Sequence, residues 1–332
     1  MTDTRFDVIG IGNAIVDILV QVEDDFLGSH GLIKGAMALV DAETADKLYA
    51  QTGPAVECSG GSAANTIATL ASLGGRGAFI GKVRDDQLGK VFGHDIRALD
   101  VHFDTAPAVH GPATATCLVL VSPDAERTMQ TYLGACVDLG PDDIDSDDIA
   151  AAQVTYMEGY LWDPPAAQQA FLKAADIAHG AGREVSLSLS DPFCVDRHRA
   201  DFIDLVDYHV DILFANEDEI IALYETDNFD DALDAVRGNC RIAALTRGAK
   251  GSVVVTNDEV HIVEAEAVAR VVDTTGAGDA YAAGFLAGYT GGRDLSTAAR
   301  MGNVCAAEVI QHMGARPDRP LRDIVATVLG AD

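Results

Sequence analysis

Short apolar runs alternate with amphipathic segments along most of the chain. Residues 7–11, 77–80, 154–157, 185–189, 212–214, 242–246 and 252–256 are almost continuously apolar, the pattern of strands buried on both faces. Between them lie segments with helical spacing, residues 63–73, 166–178 and 230–237 among them. Strand and helix alternating in this way predict an α/β fold built on a doubly wound, mainly parallel sheet. Two regions break the alternation. Residues 15–22 with 37–40, and 114–121 with 127–133, read as strand pairs with no long helix between them, the second pair turning through SPDAE at 122–126. They predict a small β-sheet lid, made discontinuously from 13–45 and 106–133. Residues 1–12, 46–105 and 134–332 would then form the α/β unit that binds nucleotide and substrate.

The stretch VVDTTGAGDAYAAGFLAGY, residues 271–289, carries the sharpest local signal. Val271 and Val272 read as the end of a strand, with turn and N-cap chemistry in Asp273, Thr274 and Thr275, and a helix opening near Gly276. The first amides of a helix have no intrahelical partner and lie at the positive end of its dipole, so the bare backbone of Gly276, Ala277 and Gly278 suits an anion. Asp279 stands in that first turn, where an acid is either a catalytic group or a plain stabiliser of the dipole. Ala280, Ala283, Gly284, Ala287 and Gly288 share one face, and glycine inside a helix costs about 1 kcal/mol relative to alanine, so that face is expected to pack tightly on a neighbour.

Composition narrows the class. The 332 residues are 48% hydrophobic, and the mean hydropathy of +0.12 indicates a folded globule large enough for one α/β core with an appendage. Asp and Glu number 52 against 23 Lys and Arg, a formal charge of -29 that would repel a nucleic-acid polymer or an anionic membrane surface. The acids are dispersed in patches such as GPDDIDSDDI and NFDDALDA, solvated faces more than a binding tail. Six scattered cysteines, without a CxxC pair, read as reduced thiols. Asn13 and Asp17 interrupt the apolar VIGIGNAIVDILV, no cleavage signal follows, and no stretch has the length of a membrane span. A soluble, cytoplasmic protein is expected.

Several further stretches carry candidate chemistry beside an ordinary structural reading. GIGNAIVD (10–17) mimics a dinucleotide fingerprint but lacks its third glycine. Asn13 and Asp17 suit the hydroxyls of a polyol or simply close a strand. SGGSAAN (59–65) puts Gly61 ahead of a helix, with Ser62 and Asn65 in its first turn, to bind hydroxyls or to cap. ANEDE (215–219) follows an apolar strand at the edge where doubly wound sheets bind ligands, and Asn216 and Glu219 suit the hydrated shell of Mg2+, which prefers oxygen and keeps several waters. LTRGAKG (245–251) is a hairpin that would also offer Thr246, Arg247 and the Gly248 amide to a nucleotide phosphate. There is no GxxxxGK[ST], HExxH or GxSxG, which argues against a P-loop enzyme, a zincin and an α/β-hydrolase.

Taken together, GGSAANTIATLASLG (60–74) and DTTGAGDAYAAGF (273–285) resemble the two signatures of the ribokinase-like (PfkB) carbohydrate kinase family, and the agreement of strand order and lid extends the resemblance over essentially the whole chain. Within it, DDFLGSHGLIKG (24–35), LSDPF (189–193) and YHVDILFANEDE (208–219) are similar to adenosine kinases. The resemblance implies a small β lid on a ribokinase-like α/β body and ATP-dependent phosphorylation of a primary hydroxyl, with the 5′-OH of adenosine as acceptor or, alternatively, a sugar such as ribose or fructose. It implies Asp279 as the base and Gly276, Ala277 and Gly278 as the anion hole. Asn13, Asp17, Gly61, Ser62 and Asn65 would hold the ribose, while Leu39 and Tyr160 would flank the base of a nucleoside. Asn216, Thr246, Gly248, Asp273 and Asn303 would line the ATP site. Glu219, with Asn216, would reach Mg2+ through water. K+ is an optional third ion, and the protein would be a monomer or a homodimer. From other classes, GIGNAIVD keeps an NAD oxidoreductase in view, and a nucleotide sensor without turnover is the third reading.

Overall fold

The structure, a computed structural model, describes residues 4–124 and 126–330. The chain leaves β1 (Phe6–Ile11) and passes directly into β2 (Ile15–Gln21), then α1 (Asp24–Ser29), β3 (Met37–Leu39), α2 (Ala42–Tyr49) and β4 (Val56–Gly60). It returns through α3 (Ser62–Ser72) to β5 (Gly77–Ile80), follows α4 (Gln87–Ala98), and leaves again for β6 (Ala115–Val121) and β7 (Arg127–Tyr132). A regular alternation follows: α5 (Ser146–Ala150), β8 (Ala152–Glu158), α6 (Pro165–Gly180), β9 (Glu184–Ser188), α7 (Pro192–Tyr208), β10 (Ile212–Asn216), α8 (Glu217–Tyr224), α9 (Phe229–Val236) and β11 (Ile242–Thr246). The chain closes with β12 (Ser252–Val255), β13 (Val260–Val263), α10 (Ala277–Thr290), α11 (Leu295–Val309) and α12 (Leu321–Leu329).

The expected doubly wound sheet is present as eight strands in the order β13-β12-β11-β10-β9-β8-β1-β5. Neighbours are parallel from β5 through β11, and β12 and β13 add an antiparallel edge. Alternate residues feed two separate cores. Leu213, Ala215, Ala243 and Leu245 pack on one face, and Ile212, Phe214, Ile242 and Ala244 on the other. Both faces are covered, which is why these strands read as continuous apolar runs. The chain winds from β1 to β5 on one side and from β8 onward on the other, so the carboxyl ends of β1 and β8 flank the switch point where such sheets bind ligands.

The small sheet has five strands, β3-β7-β6-β2-β4, and its pairing differs from the expected strand pairs. β2 and β3 do not touch as partners: β2 lies between β4 and β6, and β3 pairs with β7 in parallel. Pairing is set by long-range packing and not by adjacency in sequence, so β4, whose VECSG carries little apolar periodicity, went unread. Its presence also places residues 56–60 in the small sheet, outside the expected 13–45 segment. The SPDAE turn includes Ala125, which lies outside the described residues, as do residues 1–3 and 331–332 of the expected α/β unit.

Two further expectations change. Val271 and Val272 end no strand: the sheet stops at β13, and residues 264–276 run as irregular chain whose Val272 N–H donates to Ile310 O, at the end of α11. GIGNAIVD enters β2 with no helix after it, so it has no helix mouth for a pyrophosphate, and the dinucleotide reading loses its structural basis. The small-residue face of α10 packs on α11 as expected. A Cβ on Gly284 would lie 2.6 Å from Met301 O, and one on Gly288 would lie 2.8 Å from Ala298 Cα.

Candidate active site

The helix mouth expected at residues 276–279 is formed by α10, whose N-cap is Gly276 in the left-handed region (φ 76°). A side chain there would be strained twice over, because a Cβ would also sit 2.5 Å from Ala315 O. The Ala277 N–H leans back to Thr274 O at 3.2 Å, while Gly278 faces open space. Thus the backbone at the mouth is bare on its outer side, the condition for close approach of an anion.

Asp279 projects from the first turn of α10 to the first turn of α3, where Ser62 Oγ donates to Asp279 Oδ1 at 2.6 Å. Burial pushes the Asp279 carboxyl up to about 6, against the opposing pull of hydrogen bonds from Ser62 and Asn65 and the charge of Arg316. A carboxylate poised near neutrality is suited to take a proton and release it.

α3 begins at Gly61 (φ 97°), where a Cβ would stand 2.1 Å from Asn13 O; only glycine lets the β1–β2 junction come this close. With no side-chain cap, the helix leaves the Ala63 N–H to find an acceptor, and Glu158 Oε2 supplies it at 2.8 Å from the carboxyl end of β8. The other Glu158 oxygen accepts from Asn13 Nδ2 at 2.7 Å. Burial pushes this carboxyl up to about 7. Asp17, on β2, lies over Gly60, where a Cβ would be 2.4 Å from its carboxylate. Burial raises it to about 6, with Arg316 and Arg127 pulling the other way. The expected group of Asn13, Asp17, Gly61, Ser62, Asn65 and Asp279 is therefore brought to one place, at the carboxyl ends of β1 and β8 and beneath the small sheet.

The remaining expected residues divide. Asn216 caps α8 in a reciprocal box: its Oδ1 accepts from Glu219 N at 2.8 Å, and Glu219 takes the Asn216 N–H at 2.9 Å and Nδ2 at 2.6 Å. Burial pushes Glu219 up to about 7. Tyr160 follows β8, with its hydroxyl donating to Ser190 O at 3.2 Å. Leu39 stands 61% exposed on β3, the outer strand of the other sheet. Thr246 and Gly248 sit at the β11–β12 hairpin as expected, but Arg247 is held by Glu217 at 3.1 Å and lies over the Phe229 ring, away from phosphate duty.

Asp273 has its oxygens taken within the chain: Arg127 Nη1 at 2.6 Å, Thr275 N at 2.9 Å and Gly314 N at 3.0 Å. The buried Arg127 belongs to β7, so in place of the expected ATP contact this carboxylate ties the small sheet to the loop that leads into α10. Asn303 spends its amide N–H groups on Val263 O and Glu264 O, fixing the end of β13, and only its oxygen remains for a nucleotide.

Four participants were not foreseen: Glu158, Arg127, Asp95 and Arg316. Glu158 had a readable signal, an acid immediately after a buried strand, the same logic that singled out ANEDE. Arg316 had none, since it meets Asn65 across 251 residues of chain.

Magnesium suits this site only indirectly. Among the described residues no group of three or more His, Cys, Asp or Glu side chains is placed to hold a metal ion, and both Glu219 oxygens already accept from Asn216. The pair fits the outer shell of a hydrated ion that arrives on a nucleotide's phosphates.

Comparison with known proteins agrees with this geometry. A family model described as pfkB family carbohydrate kinase matches residues 37–322. The structure of adenosine kinase from Sinorhizobium meliloti is 53% identical, with a TM-score of 0.90 over 98% of this chain and 99% of that one. A probable sugar kinase from Rhizobium etli CFN 42 is 51% identical, with a TM-score of 0.91 over the same shares of the two chains. An ATP-dependent ribose-1-phosphate kinase from Halopiger xanaduensis is 32% identical over 87% of this chain and 90% of its own length.

Proposed function

The chain belongs to the pfkB family of carbohydrate kinases and is a phosphotransferase with an alcohol group as acceptor; from that premise we propose that it phosphorylates the 5′-OH of adenosine with ATP. The observation that carries the catalytic half of this reading is the Asp279 carboxyl, held by Ser62 at 2.6 Å beside the bare mouth of α10. The nucleoside half rests on the likeness, over nearly the full length, to the adenosine kinase of Sinorhizobium meliloti.

In this mechanism Asp279 accepts the proton of the acceptor hydroxyl as its oxygen attacks the γ-phosphorus in line, and ADP departs on the far side. Charge on the transferring group falls against the backbone of Gly276, Ala277 and Gly278, whose amides are fixed before reaction begins. Asp17, Asn13 and Asn65 hold the ribose hydroxyls, with Glu158 keeping Asn13 in place. Tyr160 and Leu39 flank the base. Thr246, Gly248 and the Asn303 oxygen border the nucleotide. When bound, Mg2+ offsets phosphate charge, and Asn216 and Glu219 would hold its waters. Closing the small sheet over the cleft excludes water, which would otherwise compete as acceptor.

A second reading, a sugar kinase, is favoured by the likenesses to the Rhizobium etli and Halopiger xanaduensis proteins. The test is ADP release with Mg-ATP and adenosine, inosine, cytidine, ribose, ribose 1-phosphate or fructose, each with and without K+. Fast turnover with adenosine alone is the expected result. Preference for a sugar would overturn the nucleoside assignment and the roles of Leu39 and Tyr160, while leaving Asp279 as base.

A further inference from the structure

Three successive residues between α11 and α12 touch three parts of the site. The Gly314 N–H donates to Asp273 Oδ2 at 3.0 Å. Ala315 lies against Gly276, so closely that a Cβ there would meet its carbonyl oxygen. Arg316 turns to the substrate side: its Nε donates to Asn65 Oδ1 at 2.9 Å, and its Nη1 donates to Ser59 Oγ at 2.9 Å and lies 3.4 Å from Asp95 Oδ2. Asp95 is itself anchored by the Ser59 N–H at 2.8 Å.

A guanidinium carries donors only, so the Asn65 atom that meets Arg316 must be the amide oxygen. The amide nitrogen then faces the other way, where Asn65 hydrogen-bonds Asp279. Rotated by half a turn, the same amide would set its oxygen against the carboxylate and withdraw a donor from it. Ser62 has a freely turning hydroxyl and imposes no such choice. We propose that Arg316 is a positioning residue for phosphoryl transfer: through Asn65 it fixes the carboxylate of Asp279 in its attacking orientation. The inference rests on the assignment of Asp279 as the base.

The electrostatic setting gives Arg316 a second effect of the same sign. Asp279 faces Asp17 from β2, Tyr156 and Glu158 from β8, Tyr160 after β8, and Glu219 from α8. Against these acidic groups, Arg316 is the cation that favours the ionised Asp279. Loss of the guanidinium thus removes a positive charge and frees the amide together.

The experiment compares wild type, R316M, R316K, N65A and R316M/N65A by kcat and KM with the best acceptor, and by 13C NMR titration of the Asp279 carboxyl in the ligand-free protein. R316M is expected to lose about 30-fold in kcat, with KM for ATP moving less than about threefold and the carboxyl midpoint rising. R316K, which keeps a charge and a donor, should recover most of that loss. The double variant should be no slower than N65A, since both changes break one chain of contacts. Wild-type kcat and midpoint in R316M, or losses that multiply in the double variant, would overturn the proposal. Should R316M not fold, R316Q gives the same readouts. The carboxyl titration needs no acceptor, so a protein that phosphorylates none of the panel would refute the proposed function and still decide the Arg316 contact.

Discussion

Replacing Asp279 by Asn should disable the enzyme and stabilise the fold at the same time. Burial moves this carboxyl from 3.8 to about 6. At 1.36 kcal/mol per unit of pKa, the ionised form is disfavoured in the folded protein by about 3 kcal/mol at pH 8. Asn carries no charge and keeps an oxygen for the Ser62 hydroxyl. It loses one acceptor facing Asn65, at about 1 kcal/mol, so a net gain of about 2 kcal/mol is expected at pH 8. The sign of the pH dependence follows from the direction of the shift. The folded carboxyl binds its proton more tightly than the unfolded one, so wild-type stability gains as pH falls through 6 toward 4. The advantage of Asn shrinks across that window and is gone below it. Urea denaturation of both proteins at pH 8, 6.5, 5 and 4 measures the difference, in which the other buried acids largely cancel. Over the same series, wild-type kcat should fall as pH drops through about 6, as the base is protonated. At pH 8 the variant should show at least about a 100-fold loss of kcat. Retention of more than a tenth of wild-type kcat would refute the role of the base. A stability difference that is negative, or flat from pH 8 to 4, would refute the burial argument.

Other expectations follow from single contacts. G276A should lower stability by about 2 kcal/mol or more and cut kcat, because the left-handed backbone and the Ala315 contact both resist a Cβ; paired thermal melts and ADP release check this. E158Q offers one acceptor where Asn13 and Ala63 present two donors, so the acceptor KM should rise by about tenfold with kcat less affected, read from initial rates. R127M strands the buried Asp273 carboxylate and should cost about 3 kcal/mol in urea denaturation, with R127M/D273N recovering part of it. An unchanged midpoint in R127M would show that the backbone donors of Thr275 and Gly314 suffice.

Local signals in the sequence were enough for the main sheet and the heart of the site. Strands buried on both faces must be apolar throughout, so β5 and β11 could be delimited residue by residue, and the positive φ at Gly61 and Gly276 belongs to glycines that stood out before helices. The same reasoning located Asp279, because a helix mouth and a first-turn acid are adjacent in the chain. It failed where the deciding partner is distant. The strand order of the small sheet depends on which edges meet after collapse, and neither β4 nor the separation of β2 from β3 has a local mark. Asp273 looked available to a nucleotide until Arg127 closed on it from 146 residues away. Arg316 was one more basic residue in a tail of loops until folding set it against Asn65. Backbone conformation and burial periodicity are properties of neighbours and can be read along the chain, whereas the partner that satisfies a buried charge is chosen only when the tertiary structure brings remote segments within reach of one hydrogen bond.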